Sequence, residues 1–189
     1  IEKSSNLAAL AVSIGQQRSS SPLAVYLARD ADVNVAIALA LGKEVWWARV
    51  DSTDDGLKDL IATLSGLTLI SDHAKAMLKW GAGSTLNSFK IDDLLLMETV
   101  LNQSGRDVGL ESLLAKELGL GVPDLGKSGS RKRGWIDLEE LELAAHLADR
   151  CLSMLPLYET LKKSMEQKDV WAVYENMERP LMSVMAGME

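Results

Sequence analysis

The stretch PLAVYLARDADVNVAIALALGKEVWWARV (residues 22–50) decides the fold class of this chain. Three apolar runs, 22–28, 35–41 and 43–50, each have the length and composition of a strand. Asp-rich and Gly-containing segments separate them, and these residue types favour tight turns. Short connections join antiparallel neighbours, so the stretch predicts a meander of adjacent antiparallel strands. The earlier apolar run NLAALAVSI (6–14) has a similar composition, and we expect it to form the first strand.

The hydrophobic period changes from strand to helix after residue 50. Apolar residues then recur at three- and four-residue spacing, which is typical of helices, and the run LTLIS (67–71) is one strand among them. The predicted helices cover 52–66, 72–81, 91–102, 109–121, residue 136 to about 168 with a break near Pro156, and a last segment from about Asp169. A Gly- and Ser-rich basic loop covers 122–135. This order predicts an α/β domain with a mixed sheet flanked by helices.

The amino-acid composition limits the classes of function that this chain can have. Of the 189 residues, 47% are apolar and 25% are charged, as in a folded globular domain. The 27 acidic residues outnumber the 20 basic ones, and a net charge of −7 argues against tight autonomous binding to nucleic acid. The single cysteine, Cys151, cannot form an internal disulfide and is compatible with the cytoplasm, where we expect the protein. No apolar run has the length of a membrane span, so we expect no membrane partner.

The segment YENMERPLMSVMAGME (174–189) has one apolar helical face without a capping signal after it. Its face carries Leu181, Val184, Met185 and Met188. The pattern indicates an unfinished helix, and we expect the chain to be part of a longer protein.

This final segment resembles the junction between the proofreading domain and the polymerase domain of bacterial DNA polymerase I, a family A DNA polymerase. That family has an aromatic-Glu-Asn-(Ile/Met)-Glu-x-Pro-Leu sequence here, and this chain has Tyr174 to Leu181 in the same order. The segments 91–102, 109–121 and 144–155 also resemble family helices, the first of them through Asp93. The resemblance implies a ribonuclease-H-like 3′–5′ exonuclease fold over 1–173 and the start of a polymerase-domain helix over 174–189.

Proofreading is hydrolysis by two metal ions that carboxylates hold. The resemblance places the family's first acid pair at Ser13 and Gly15, and its second acid at Lys75, or at Ala74 with a one-residue slip. The third acid and its tyrosine fall at Leu147 and Leu143. None of these side chains can supply a carboxylate. The resemblance therefore implies a vestigial domain without metal, which supports the polymerase domain of the same chain and meets DNA through the parent protein. Mg²⁺ would serve only the parent polymerase.

Three alternatives remain open at this point. An active exonuclease could use rearranged acids from the set Asp30, Asp32, Asp72, Asp93 and Asp149. The residues themselves favour turn positions for the first two, an N-cap for Asp72 and a helix-terminal acid for Asp93. An interaction module could use the vacant cleft to bind a protein or single-stranded DNA. Its support in the sequence is the basic loop, which could contact DNA phosphates through Lys127, Arg131, Lys132 and Arg133. An unrelated α/β domain could match the last motif by chance.

Overall fold

A six-stranded mixed sheet forms the centre of the molecule. The computed structural model describes residues 1–16, 21–31, 33–50, 56–80, 90–102, 109–128 and 130–188. Six strands form the sheet: β1 (Glu2–Lys3), β2 (Leu23–Asp30), β3 (Val33–Leu41), β4 (Glu44–Arg49), β5 (Thr68–Ser71) and β6 (Lys90–Asp93). Their order is β1-β4-β3-β2-β5-β6. Strands β2, β3 and β4 are the expected antiparallel meander, whereas β5 and β6 run parallel to β2. The mixed α/β architecture is confirmed.

Helices cover both faces of this sheet. They are α1 (Leu7–Gly15), α2 (Leu57–Leu64), α3 (Ala74–Trp80), α4 (Leu94–Asn102), α5 (Leu110–Leu118), α6 (Glu140–Gln167), α7 (Trp171–Val173) and α8 (Arg179–Met188). A 3₁₀ turn (Trp135–Asp137) precedes α6, and a π-helical turn (Tyr174–Glu178) joins α7 to α8. A hairpin of β7 (Lys127–Ser128) and β8 (Arg131–Lys132) lies within the basic loop. No helix within the described ranges is long and apolar enough to cross a bilayer.

The strand predicted over 6–14 is wrong, because this segment forms helix α1. The Asn6 side chain accepts a hydrogen bond from the main-chain nitrogen of Ala9 at 2.9 Å, which caps the helix. Its buried residues Leu7, Leu10, Ala11 and Ile14 follow helical spacing, whereas Val12 is 63% exposed. A nine-residue apolar run fits either structure, and the capping asparagine was the signal that distinguishes them.

Two further boundaries differ from the sequence-based prediction. The helix expected from residue 91 begins at Leu94, since residues 90–93 pair with β5 as strand β6. The break expected near Pro156 is absent from α6, which is continuous over 28 residues. Pro156 is exposed, while Met154 and Leu157 on either side of it are fully buried. The helix therefore continues past the proline, because packing on both sides of it compensates for the missing backbone hydrogen bond.

The pleat of the sheet divides the core into two layers. Trp46 and Trp47 are neighbours on β4, and both are buried, on opposite faces as their spacing predicts. Trp47 belongs to the layer beneath α6, and Trp46 to the layer beneath α1, α2 and α3. Cys151 on α6 is fully buried, and its thiol donates to the carbonyl oxygens of Ala24 and Ala38. The cysteine is a packed core residue.

Candidate functional site

The positions expected for the third acid and its tyrosine lie on the inner face of α6. Leu143 and Leu147 are both fully buried there, one helical turn apart. They share a buried cluster with the side of β2 that carries Ala24, Tyr26 and Ala28. Around these two positions the contact between α6 and the central strand is buried and mostly apolar. The leucine side chains at the positions expected for the acid and the tyrosine have no oxygen atom that could bind a metal ion.

Ser13 and Gly15 do not lie on a sheet strand, so their assignment to an acid pair on the first strand is wrong. Both are on α1, which packs on the face of the sheet opposite α6. They cannot share a site with Leu143 and Leu147. The central strand is β2, and its only acidic residue is its last, Asp30.

The two alternatives for the second acid lie at the start of α3. Ala74 is fully buried, and Lys75 is half-buried. Neither side chain can bind a divalent cation, because one is apolar and the other carries a positive charge.

Trp135 fills the space between the end of β2 and the first turns of α6. We call the residues Tyr26, Trp135, His146 and Arg150 the Trp135 cluster. The Trp135 ring lies 5.6 Å from the Tyr26 ring and 6.4 Å from the His146 ring, between centroids. The guanidinium carbon of Arg150 lies 4.9 Å from the Trp135 ring centroid, which is a cation–π contact. Trp135 is only 7% exposed, so its indole is part of the core.

The cation in this cluster is held by three separate segments. Arg150 donates from Nε to Glu111 Oε1 at 3.1 Å, from Nη1 to the His146 carbonyl oxygen at 3.3 Å, and from Nη2 to the Pro123 carbonyl oxygen at 3.2 Å. Its side chain is 3% exposed. Burial raises the pKa of the neighbouring Tyr26 hydroxyl far above its ordinary value, and the charge of Asp72 adds to this rise. The tyrosine therefore remains neutral beside a fixed positive charge.

Asp30 holds the turn that carries Trp135. Its two carboxylate oxygens accept hydrogen bonds from the main-chain nitrogens of Trp135 at 2.9 Å and Ile136 at 2.8 Å. A Cβ atom at Gly134 would lie 2.7 Å from Asp30 Oδ2, so only glycine leaves room for this approach. Asp30 was expected to be a local turn residue. The structure instead uses it as an anchor for a turn more than 100 positions away.

A second polar group forms where β6 ends. Asp92 is fully buried and accepts hydrogen bonds from the Tyr158 hydroxyl and from Arg179 Nη1, each at 3.0 Å. Asp93 accepts from the main-chain nitrogens of Ala74, Leu95 and Leu96 at 2.8, 3.0 and 3.1 Å.

These contacts confirm Asp93 as a helix-terminal acid, and it serves both α3 and α4. It also takes the capping role that was expected of Asp72 at the start of α3. Asp72 Oδ2 instead lies 3.5 Å from His73 Nδ1. Burial raises the pKa of Asp93 to about 6, and the bond to Asp72 raises the pKa of His73 to about 9.

The rearranged acid set is not assembled into a metal centre in the described part of the chain. Within these residues, no group of three or more Asp, Glu, His or Cys side chains is placed to hold one ion. Asp30 and Asp93 are engaged with main-chain amides, and Asp149 is exposed on α6. Asp32 lies outside the described residues. The donor set therefore does not fit a two-metal nuclease site.

Two of the four cations expected in the basic loop are engaged by acids of the same chain. Arg131 pairs with Asp137, and Arg133 makes two bonds of 2.7 Å to the carboxylate of Glu142. The Arg133 guanidinium lowers the pKa of Glu142. Lys127 and Lys132 stand opposite each other on the hairpin and are exposed.

Sequence reasoning did not identify Tyr26, Trp135, Arg150, Asp92 or Arg179 as residues of interest. Taken alone in the sequence, each of these residues is explained by an ordinary structural role. The pair Gly-Trp at 134–135 and the adjacent acids at 92–93 were the available signals.

Solved structures of nucleases and of a polymerase share this fold. The "POL domain of Pol1 from M. smegmatis", in complex with DNA primer-template and dNTP, aligns with a TM-score of 0.70 at 18% identity over 100% of this chain. Brucella melitensis NrnC bound to pGG aligns with a TM-score of 0.70 at 12% identity, covering 99% of this chain and 92% of that one. Escherichia coli RNase D, an exoribonuclease involved in structured RNA processing, aligns with a TM-score of 0.67 at 17% identity over 98% of this chain and 50% of that one.

At these identities the likeness establishes the fold alone, which is the ribonuclease-H-like 3′–5′ exonuclease fold. The chain spans 31% of the length of the M. smegmatis Pol1 chain. No protein-family model matches the sequence, and no curated protein matches it significantly.

Proposed function

We propose that this chain is a vestigial 3′–5′ exonuclease domain of a bacterial DNA-directed DNA polymerase of family A. In this proposal the domain has no nuclease activity and serves as a structural support for the polymerase domain of the same chain. DNA and Mg²⁺ are then ligands of the parent protein. The proposal is supported by the motif over 174–189 and by the shared fold of the M. smegmatis Pol1 chain.

The main observation in support of this proposal is that the space between β2 and α6 is filled by side chains. Two-metal hydrolysis needs a water-accessible space lined by carboxylates. Here the indole of Trp135 and the buried leucines Leu143 and Leu147 line that space. The guanidinium of Arg150 adds a fixed positive charge beside Trp135, and that charge repels a divalent cation. Both the shape and the charge of the space therefore oppose catalysis.

The C-terminal helix provides the surface for the supporting role. An exposed apolar stripe runs from α7 through the π-helical turn into α8. Its members are between 43% and 81% exposed: Val173, Met177, Leu181, Val184, Met185 and Met188. The opposite side carries Met182, which packs into the core of the domain. A continuous exposed apolar stripe on a helix indicates a contact with another protein surface. We assign this contact to the polymerase domain of the same chain.

Binding of Mn²⁺ to this chain, followed by electron paramagnetic resonance, tests the loss of the metal centre. The signal of free Mn²⁺ should fall no further than it does with a protein of equal net charge. Asp72→Asn serves as the matched variant, because it removes one acid of the rearranged set and leaves the Trp135 cluster intact. Stoichiometric Mn²⁺ binding that this variant abolishes would contradict the proposal.

A second candidate function is contact with a DNA backbone through the hairpin. The observation that favours it is the side-by-side position of Lys127 and Lys132 on exposed strands. A gel-shift assay at low and moderate salt tests it, because phosphate contacts weaken steeply with salt. The double variant Lys127→Ala/Lys132→Ala should lose any DNA binding that the unmutated chain shows. Binding that survives both substitutions would exclude the hairpin as its source.

A further inference from the structure

We infer that Arg179 is a positioning residue that, with Asp92, fixes the direction in which helix α8 leaves the domain. This inference rests on the proposed supporting role, since it explains how the apolar stripe is presented to a neighbouring domain. We call the residues Asp92, Asp93, Tyr158, Tyr174 and Arg179 the β6 node.

The helix needs such a device because its hydrogen bonding changes at the π-helical turn. Pro180 has no amide hydrogen, so the carbonyl of Asn176 loses its ordinary partner. The main-chain nitrogen of Arg179 instead donates to the carbonyl of Tyr174, five residues earlier. A π-helical turn interrupts the regular ladder at this point. Local hydrogen bonding alone therefore does not fix the angle between the segments before and after the turn.

Arg179 connects the helix to the sheet across this turn. Its Nη1 donates to Asp92 Oδ1 at 3.0 Å, and its Nη2 donates to Glu175 Oε1 at 3.1 Å. The second oxygen of Asp92 accepts from the Tyr158 hydroxyl at 3.0 Å, which ties in helix α6. Charge-assisted bonds from a planar guanidinium are directional. Arg179 therefore links the start of α8 to β6 and to Glu175 within the π-helical turn, and Asp92 extends this link to α6.

A second attachment lies on the other side of the turn. Tyr174 is fully buried, and its hydroxyl accepts a hydrogen bond from the main-chain nitrogen of Asp93 at 2.9 Å. Tyr174 begins the irregular turn and Arg179 follows it directly, and the two residues bind the consecutive residues Asp93 and Asp92. Two attachments to neighbouring points on one strand fix the rotation of a helix as well as its position.

Helix α8 packs against α3 and β6, and Ala186 is half-buried in the layer beneath α3. Among its described residues, Met182 is the only buried one. A buried ion pair contributes little net stability compared with apolar packing, but it does specify geometry. The β6 node therefore acts together with the packing on α3 to determine which face of α8 meets the domain and which face carries the stripe.

Hydrogen exchange on the full chain, measured by mass spectrometry from milliseconds to minutes, tests this inference. In Arg179→Met, exchange over 179–188 should rise at least tenfold, while exchange in β3 should not change. Arg179→Lys should recover part of the protection, because it restores the charge but not both bonds. Arg131→Met is the matched control, since it removes an exposed arginine with one ion pair and should leave 179–188 unchanged.

Arg179→Met leaves Asp92 buried without its counter-ion, so the whole fold could weaken. The double variant Arg179→Met/Asp92→Asn removes that charge and keeps an acceptor for Tyr158. It should retain protection in β3 and still exchange rapidly over 179–188. Unchanged exchange over 179–188 in the double variant would overturn the inference, as would an equal rise in every strand. Because the readout involves neither metal nor DNA, its failure is distinguishable from a failure of the proposed function.

Discussion

Replacing Trp135 by alanine should remove about 4 kcal/mol from the free energy of unfolding. The side chain is 7% exposed and contacts the rings of Tyr26 and His146 and the guanidinium of Arg150. Truncation of a buried tryptophan costs about 3–5 kcal/mol, and a desolvated cation–π contact contributes about 2 kcal/mol of such a total. Domains of this size have about 5–15 kcal/mol of stability, so the variant should still fold.

Urea denaturation followed by far-ultraviolet circular dichroism measures this effect without depending on indole fluorescence. With a slope of about 2 kcal/mol per molar urea, the midpoint should fall by about 2 M. Trp135→Phe keeps a ring against Arg150 and should lose about half as much. Ile136→Ala is the neighbouring control: Ile136 is 65% exposed, and its change should stay within about 0.5 kcal/mol.

A cost below about 1 kcal/mol for Trp135→Ala would contradict this prediction, because the indole would then not fill the space between β2 and α6. A double-mutant cycle with Arg150→Met adds a second criterion. The two substitutions should show a coupling of about 2 kcal/mol through the cation–π contact. A coupling of zero would show that the guanidinium is held by Glu111 and the carbonyl oxygens alone.

Three further outcomes follow from the same contacts. Burial raises the pKa of Asp93 from 3.8 to about 6, so the folded state holds its proton longer than the unfolded state does. Ionisation of Asp93 should therefore lower the free energy of unfolding by about 3 kcal/mol as the pH rises from about 4 to about 6. In urea titrations, Asp93→Asn should lose this pH dependence. An identical pH profile in the variant and the unmutated chain would refute the prediction. Gly134→Ala should cost about 1–3 kcal/mol because its Cβ would lie 2.7 Å from Asp30 Oδ2; a neutral effect on the melting temperature would show that the turn can move. Leu147→Asp buries a carboxylate at a fully buried position and should lower the melting temperature sharply, with no recovery in Mg²⁺; recovery would reveal a latent metal site.

The sheet could be predicted because its strands carry strong local signals. The three runs over 22–50 alternate with turn residues, and the two tryptophans of β4 face opposite layers as strand geometry requires. Helix α1 could not be separated from a strand by apolarity, because its mean composition suits both. Strand β6 was missed since its four residues continue directly into α4, and the helical period of α4 dominated the pattern.

The site was harder to predict because its contacts join distant parts of the chain. Tyr26 and Trp135 lie in different elements, and neither residue type indicates the other. Arg150 has the pattern of a solvent-exposed helix residue next to Asp149, yet it is 2% exposed. The resemblance directed attention to Leu143 and Leu147, and the structure places both as buried apolar residues on α6. It could not reveal that Asp30 anchors the turn that fills the adjacent space.

The most direct test of the central claim is an exonuclease assay on this chain. End-labelled single-stranded DNA is incubated with a large excess of the protein in Mg²⁺ or Mn²⁺, and its length is followed with time. We expect full-length DNA at every time point, because the space between β2 and α6 is closed by Trp135 and carries the charge of Arg150. Metal-dependent stepwise loss from the 3′ end, abolished by Asp72→Asn, would contradict it.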